Sequence, residues 1–389
     1  MADVTKIDLD EIRQKLELPP TRKLKMCLRS LREPFERNND RAARSGKKIG
    51  RTSQANRLAR VELSMRELHA IGYELEDGAA FKQKHAYALM RYWLAREFDA
   101  ATIQNRMSAL RCYLEWVNKG DMLGPAERYL PEGVDASRVR IVSVAQKPKG
   151  WAENGVDLLA MIKKVLEIDP RVAVVILLSA AFGVRRREAC CFRPGVELAR
   201  LGGELRVGQM ISIKEGTKGG RGRSVPINEQ YQIDIINLAV SFCRRPSSSL
   251  VPDGMDLQQF LNRVRNVCSR TGMTKANNCH PHAMRHTYAV NLYEKISGFQ
   301  APVRGNGRFA PVEDGMNRVG DMIDTAARAV AKNLGHDRPQ ITRAYVGGLI
   351  TANKQIPDGE CDGASDTNQS DIRTDGADDS EDNDSNGES

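Results

Sequence analysis

The chain has 389 residues, 41% of them hydrophobic, and a formal net charge of +9, which leaves room for two folded cores plus tails. The longest apolar run, Val172–Phe182 interrupted by Ser179, is too short to cross a bilayer. Charged residues at Asp3, Lys6, Asp8, Asp10 and Glu11 interrupt any apolar leader, so no membrane partner is expected and the expected location is the cytoplasm.

Eight scattered cysteines without a C-x-x-C pair suit a reduced compartment rather than a disulfide scaffold. The charge is segregated. Residues 357–389 hold twelve Asp or Glu and one Arg, a net of −11, so the first 356 residues carry +20 to give the total of +9. Such a body suits a polyanion, because Lys and Arg gain affinity by releasing counterions from phosphates. The acidic tail, 357–389, has almost no apolar residue and is expected to stay disordered.

In chain order, residues 1–50 read as a basic arm. Cations crowd from Arg22 to Arg51, and the stretch 38–50 lacks apolar periodicity. A helical unit is expected over 51–145. Leu58, Val61, Met65 and Leu68 recur at helical spacing before Gly72, a second helix is expected over Phe81–Arg96, and a third follows Asp99 as its N-cap. Gln146-Lys-Pro-Lys-Gly150 has linker composition.

The second unit, 150–352, opens with an expected helix over Val156–Ile168 and then the nearly all-apolar Val172–Phe182, which should be a buried central helix. Gly183 ends it and Arg185 follows, with Arg186 and Arg187 as competitors. Short strands are expected over Glu204–Val207, Met210–Lys214 and Ser224–Ile227, with a Gly-rich cationic turn over Glu215–Arg223. Helices should cover Asn228–Arg244 and Leu257–Arg270, and another should begin at Pro281. The Gly-, Pro- and Arg-rich stretch 297–320 reads as an inserted loop, before a helix over Asp321–Leu334. Pro339 starts a last short helix displaying Tyr345, and Gly347 ends it. The fold class is therefore mainly α with a small β-hairpin.

Along the helix from Pro281, His282, Arg285 and His286 fall on one face at i, i+3 and i+4. Together they form a set of donors able to grip a phosphate. A zinc site from His280, His282 and His286 is a rival, disfavoured because His280-Pro281-His282 is cramped and no Cys or acid lies at ligand spacing. Downstream come Leu334-Gly335-His336 and Tyr345.

The succession Gly183-Val-Arg185-Arg-Arg-Glu188, Lys218 in the turn, His282-Ala-Met-Arg285-His286, Leu334-Gly335-His336 and Tyr345 resembles the tyrosine recombinase (phage integrase) family over roughly residues 150–350. Xer, Cre and lambda-type integrases are its relatives. The family pattern selects Arg185, with Glu188 as its buttress. It places the hairpin lysine at Lys218 by counting back from Val225-Pro226-Ile227, with Lys214 as runner-up. The separation of Arg285 from His336 is longer than the family's usual one.

The resemblance implies a helical core-binding domain followed by a catalytic domain. It implies strand cleavage and rejoining through a 3′-phosphotyrosyl link, with Tyr345 as nucleophile. Arg185 and Arg285 would neutralise the phosphate and Lys218 would protonate the leaving oxygen. His282 would accept the tyrosine proton or orient the phosphate, and His336 would donate to a non-bridging oxygen. No cofactor, metal or nucleotide is called for. The partners implied are double-stranded DNA, three further copies in a homotetramer, and accessory DNA-bending or directionality factors, in a nucleoid-associated setting. Integration or excision of a mobile element or prophage is the expected role. Type IB topoisomerase-like relaxation and a catalytically silent DNA-binding regulator are the alternatives.

Overall fold

The computed structural model describes residues 7–41, 46, 48–305, 316–336 and 338–348. They divide into two compact units, with the change at Val142–Ser143. The tail 357–389, and the part of the expected inserted loop over 306–315, lie outside the described residues. No described helix is long and apolar enough to cross a membrane.

The first unit is all helical: α1 (Leu9–Glu17), α2 (Arg22–Ser30), α3 (Arg32–Asn38), α4 (Arg51–Ile71), α5 (Gln83–Ala95) and α6 (Ala100–Trp116). Three of these starts, those of α1, α2 and α6, are capped by a side chain. Asp8 accepts from the amides of Asp10 and Glu11, Thr21 from Leu24, and Asp99 from Thr102 at 2.6 Å, answering donors that a helix leaves open. Residues 9–38, expected as a basic arm, instead form three helices that join this core. Ile12, Cys27, Leu31 and Phe35 are buried in one cluster with Val61, Met65, Leu68, Trp93 and Leu110. The physical reason is an apolar stripe at 24, 27, 31 and 35, helical spacing that the surrounding cations had hidden.

The second unit is built round α8 (Pro170–Phe182), with α7 (Leu158–Ile168) before it and α9 (Arg186–Cys191) and α10 (Pro194–Arg200) after it. Asp169 caps α8 through the amides of Arg171 and Val172, and Pro170 occupies the first turn, where its missing N–H costs nothing. The apolar side chains of α8 are buried among α7, α9, α11 (Gln230–Ser241) and α13 (Ala283–Ser297), each worth about 1.5–3 kcal/mol. The remaining helices are α12 (Leu257–Arg270), α14 (Met316–Leu334) and α15 (Arg343–Val346), the last preceded by a 3-10 turn over Pro339–Thr342.

One antiparallel hairpin interrupts the helices. β1 (Met210–Ile213) pairs with β2 (Arg223–Pro226), with Ile211 opposite Val225 and Ile213 opposite Arg223. The strand expected over Glu204–Val207 does not form. Glycine turns at 202–203 and 208, all with φ near +90°, curl the segment away from any partner strand. The fold is mainly α with a small two-stranded sheet.

Candidate active site

The site forms where four chain segments end against one another. Gly183 closes α8 with φ +60°, and a Cβ there would lie 2.3 Å from the Tyr288 ring. Only glycine lets the chain turn here, and the turn aims the Gly183 carbonyl at α13 while Arg185 starts α9. Upstream, the Trp151 indole donates to the His280 carbonyl at 3.1 Å and its amide to Thr287 Oγ1 at 3.3 Å, which fixes the turn before α13. His282 is therefore the residue just before α13 rather than part of it, because the helix begins at Ala283.

Arg285 is the hub. It is 1% exposed. Its NH1 donates to the Gly183 carbonyl at 2.5 Å, its NH2 to the Leu334 carbonyl at 2.5 Å, and its Nε to the Tyr345 hydroxyl at 3.2 Å. NH2 also lies 3.3 Å from His336 Nε2, and that nitrogen is 3.4 Å from the Tyr345 hydroxyl. A guanidinium only donates, so its contact with His336 Nε2 requires the tautomer in which that nitrogen carries the lone pair. Tyr345 itself is 8% exposed.

Arg185 is tied to Glu188 from two atoms. Its amide donates to Oε2 at 2.8 Å and its NH1 to Oε1 at 3.0 Å. The same carboxylate takes both arms of Arg223, at 2.9 and 2.7 Å, while Arg223 Nε donates to the Asn333 carbonyl at 2.6 Å. Among the described residues, three guanidiniums thus act on one fully buried carboxylate. Burial pushes the Glu188 carboxyl up, but the bonds and charge of Arg223, then Arg185 and Arg285, bring it down to about 2. Burial pulls the Arg285 guanidinium below its ordinary range, and the charge of Arg185 adds to that pull.

The histidine rings follow one another away from Tyr345, tilted, then edge-on, then stacked. The His286 ring lies 4.7 Å from that of Tyr345, His282 lies 5.5 Å from His286, and His280 lies 6.4 Å from His282. Burial lowers the His286 pKa well below 6.5, with the charges of His282, Lys149, His280 and Arg285 adding to it. The imidazole nitrogen nearest the phenol oxygen in these contacts is His336 Nε2, at 3.4 Å. Among the described residues no three His, Cys, Asp or Glu gather as a metal-binding group. Lys218 opens the 3-10 turn between β1 and β2 and is exposed there, as is Lys214 just after β1.

Two family models match this chain: "Phage integrase, N-terminal" over residues 43–122, and "Integrase" over residues 151–291, which includes Arg185, Lys218, His282 and Arg285. The chain belongs to the phage integrase, or tyrosine recombinase, family. That family is an enzyme class of site-specific recombinases. His336 and Tyr345 lie beyond the integrase match, and it is the geometry that joins them to Arg285.

No curated protein matches the chain in sequence. Among solved structures it is similar to the Tn1549 transposon integrase. An arginine-to-lysine form of that protein in complex with a circular intermediate DNA is 13% identical, with 82% of this chain and 95% of that one covered at a TM-score of 0.47. A tyrosine-to-phenylalanine form with transposon right end DNA is 12% identical, covering 82% and 96%, also at 0.47. These are likenesses from which no residue is carried over.

Two side chains of this integrase escaped the sequence reading. Arg223 was lost among the cations of the hairpin, yet Val225 is buried and two residues along a strand share a face, which turns Arg223 inward. His286, expected among the phosphate-gripping donors of the motif face, is instead the buried ring that rests on Tyr345.

Proposed function

We propose that this integrase cleaves and rejoins DNA by attack of the Tyr345 hydroxyl on a backbone phosphorus, leaving a 3′-phosphotyrosyl link and a free 5′-hydroxyl. One observation carries the reading: the Tyr345 hydroxyl is held at 3.2 Å from Arg285 Nε and 3.4 Å from His336 Nε2 within one chain.

The chemistry follows from those contacts. A phosphodiester is a stable anion, so the first requirement is positive charge on its non-bridging oxygens. Arg285 and Arg185 supply that charge from a desolvated pocket, and each donor to a transition-state anion is worth about 3–4 kcal/mol. As the phenol attacks, its proton passes to His336 Nε2, 3.4 Å away. The bond from phosphorus to the 5′-oxygen breaks, and that oxygen takes a proton from Lys218, carried in by the hairpin. A phenol, with a pKa of about 10, is a better leaving group than an alkyl hydroxyl, so the link can be reversed by the 5′-hydroxyl of another strand. The basic helical unit and the integrase unit bind the duplex through its phosphates. Four copies acting on two duplexes would exchange strands, in the service of a mobile element or prophage.

The test is a nicked duplex taken from the boundary of the DNA element that carries the coding sequence. It traps the covalent complex, because the short cleaved strand diffuses away. The native chain gives a protein–DNA adduct on a denaturing gel and Tyr345→Phe gives none. An adduct that survives in Tyr345→Phe sinks the reading. Relaxation of any supercoiled plasmid without junction products would point to topoisomerase action instead, and binding without an adduct to a silent regulator.

A further inference from the structure

The stretch that follows α13 is built rather than loose. Ala301 and Val303 are buried, and Arg304 anchors them. Its Nε donates to Glu153 Oε1 at 2.6 Å, its NH1 to Glu294 Oε2 at 2.5 Å and its NH2 to Asn291 Oδ1 at 3.1 Å. The other Glu294 oxygen accepts the Ala301 amide at 2.9 Å. Held in this way, the Val303 amide donates to the Val346 carbonyl at 2.8 Å, next to Tyr345. On the other side the Ala145 amide donates to the Arg343 carbonyl at 2.9 Å, and Thr342 Oγ1 donates to the Ala327 carbonyl at 3.0 Å.

A helix of one turn, Arg343–Val346, cannot hold itself in water, because nucleation fixes several residues for one hydrogen bond. Its position is set by what it is tied to. The fit is close: a Cβ on Gly347 would stand 2.9 Å from the Val303 amide nitrogen. We infer that residues 301–304 are a strap that holds the tyrosine segment, and that Arg304 is a positioning residue for Tyr345, acting through Val303 rather than on DNA. The consequence for cleavage rests on the proposed function; the strap itself rests on geometry alone.

Three variants of the full chain separate the two: Arg304→Ala, Arg304→Lys and Val303→Pro, the last removing the amide donor, together with a buried valyl side chain, while leaving the charges in place. Hydrogen exchange of the free protein is read by mass spectrometry on peptides covering 343–347 and, as control, α8. Adduct formation on the nicked boundary duplex is read at saturating protein beside duplex affinity. Arg304→Ala and Val303→Pro should each speed exchange over 343–347 about tenfold, with α8 unchanged. Both should slow adduct formation about tenfold with affinity unchanged, the signature of misplaced reacting atoms. Arg304→Lys should recover part of each effect. Unchanged exchange over 343–347 in both strap variants overturns the inference, and so does a rise in α8 exchange of equal size, which would mean general loosening. A native chain that forms no adduct defeats the strand-transfer reading, while the exchange data still decide the strap.

Discussion

Each unit of the protein buries a glutamate against an arginine, and the two pairs are built to different ends. In the first unit Glu67 takes Arg106 on both oxygens, at 2.7 and 2.6 Å, and the Trp93 indole at 2.8 Å. Arg106 lies 4.6 Å from the Phe98 ring. Three helices, α4, α5 and α6, are joined and the charges answer one another. In the second unit, among the described residues, Glu188 takes Arg223 and Arg185 and feels Arg285, and a tyrosine hydroxyl sits beside Arg285. The first pair ties the helices of a fold together; the second lies at the proposed active site, where an anionic phosphate would join it.

Four changes would sharpen or break that contrast, taken from the largest effect down. Arg285→Ala removes the proposed phosphate donor and leaves two carbonyls and the phenol without their partner. Cleavage of the nicked duplex should fall by about 10³, with Arg285→Lys failing to restore it because a lysine lacks the fork. A near-native rate in either variant would remove the hub from the account.

Lys218→Ala should slow cleavage about 10². A 5′-bridging sulfur at the scissile position, which leaves without a proton, should return most of that loss. Rescue in Lys214→Ala but not in Lys218→Ala would move the acid to the other lysine.

Arg223→Met should lower the cleavage rate about tenfold at unchanged duplex affinity, because Arg185 and the Asn333–His336 turn both lose their tie. The matched change in the first unit, Arg106→Met, should cost stability, roughly 3–5 kcal/mol as one partner of a buried pair is lost, yet leave the rate per folded molecule alone. Equal effects on rate from the two would erase the distinction between the two pairs.

The last effect is on stability in acid rather than on rate. The Glu188 carboxyl is held at about 2 against an ordinary 4.5. Its contribution to stability is therefore complete above pH 4.5 and lost as pH falls toward 2, a total of roughly 3 kcal/mol. Without Arg223 the folded-state value rises, so Arg223→Met should lose its acid-sensitive stability over a narrower and higher pH range in denaturant titrations. Superimposable pH profiles would mean that Arg223 does not hold the charge on Glu188.

What could be read in the chain was local chemistry at fixed order. Arg185, His282, Arg285, His336 and Tyr345 stood out through the family resemblance, which rests on their order and on neighbours such as Gly183, Glu188 and Gly335. Asp99 and Gly72 marked helix ends for the same reason. Contacts between distant segments were not legible. Nothing near Arg223 announces Glu188, 35 residues away, and nothing near Val303 announces Val346. The helices over 9–38 were missed because charge density was weighed above a four-residue stripe. Which histidine meets the phenol depended on where α13 begins, and a start at Ala283 leaves His282 outside the helix and His286 against the ring.

The most direct measurement is to digest the trapped adduct and locate the nucleotide by mass spectrometry. The account predicts a 3′-phosphonucleotide on the peptide that carries Tyr345 and on no other tyrosine. A nucleotide joined elsewhere, or joined through its 5′-phosphate, would contradict it.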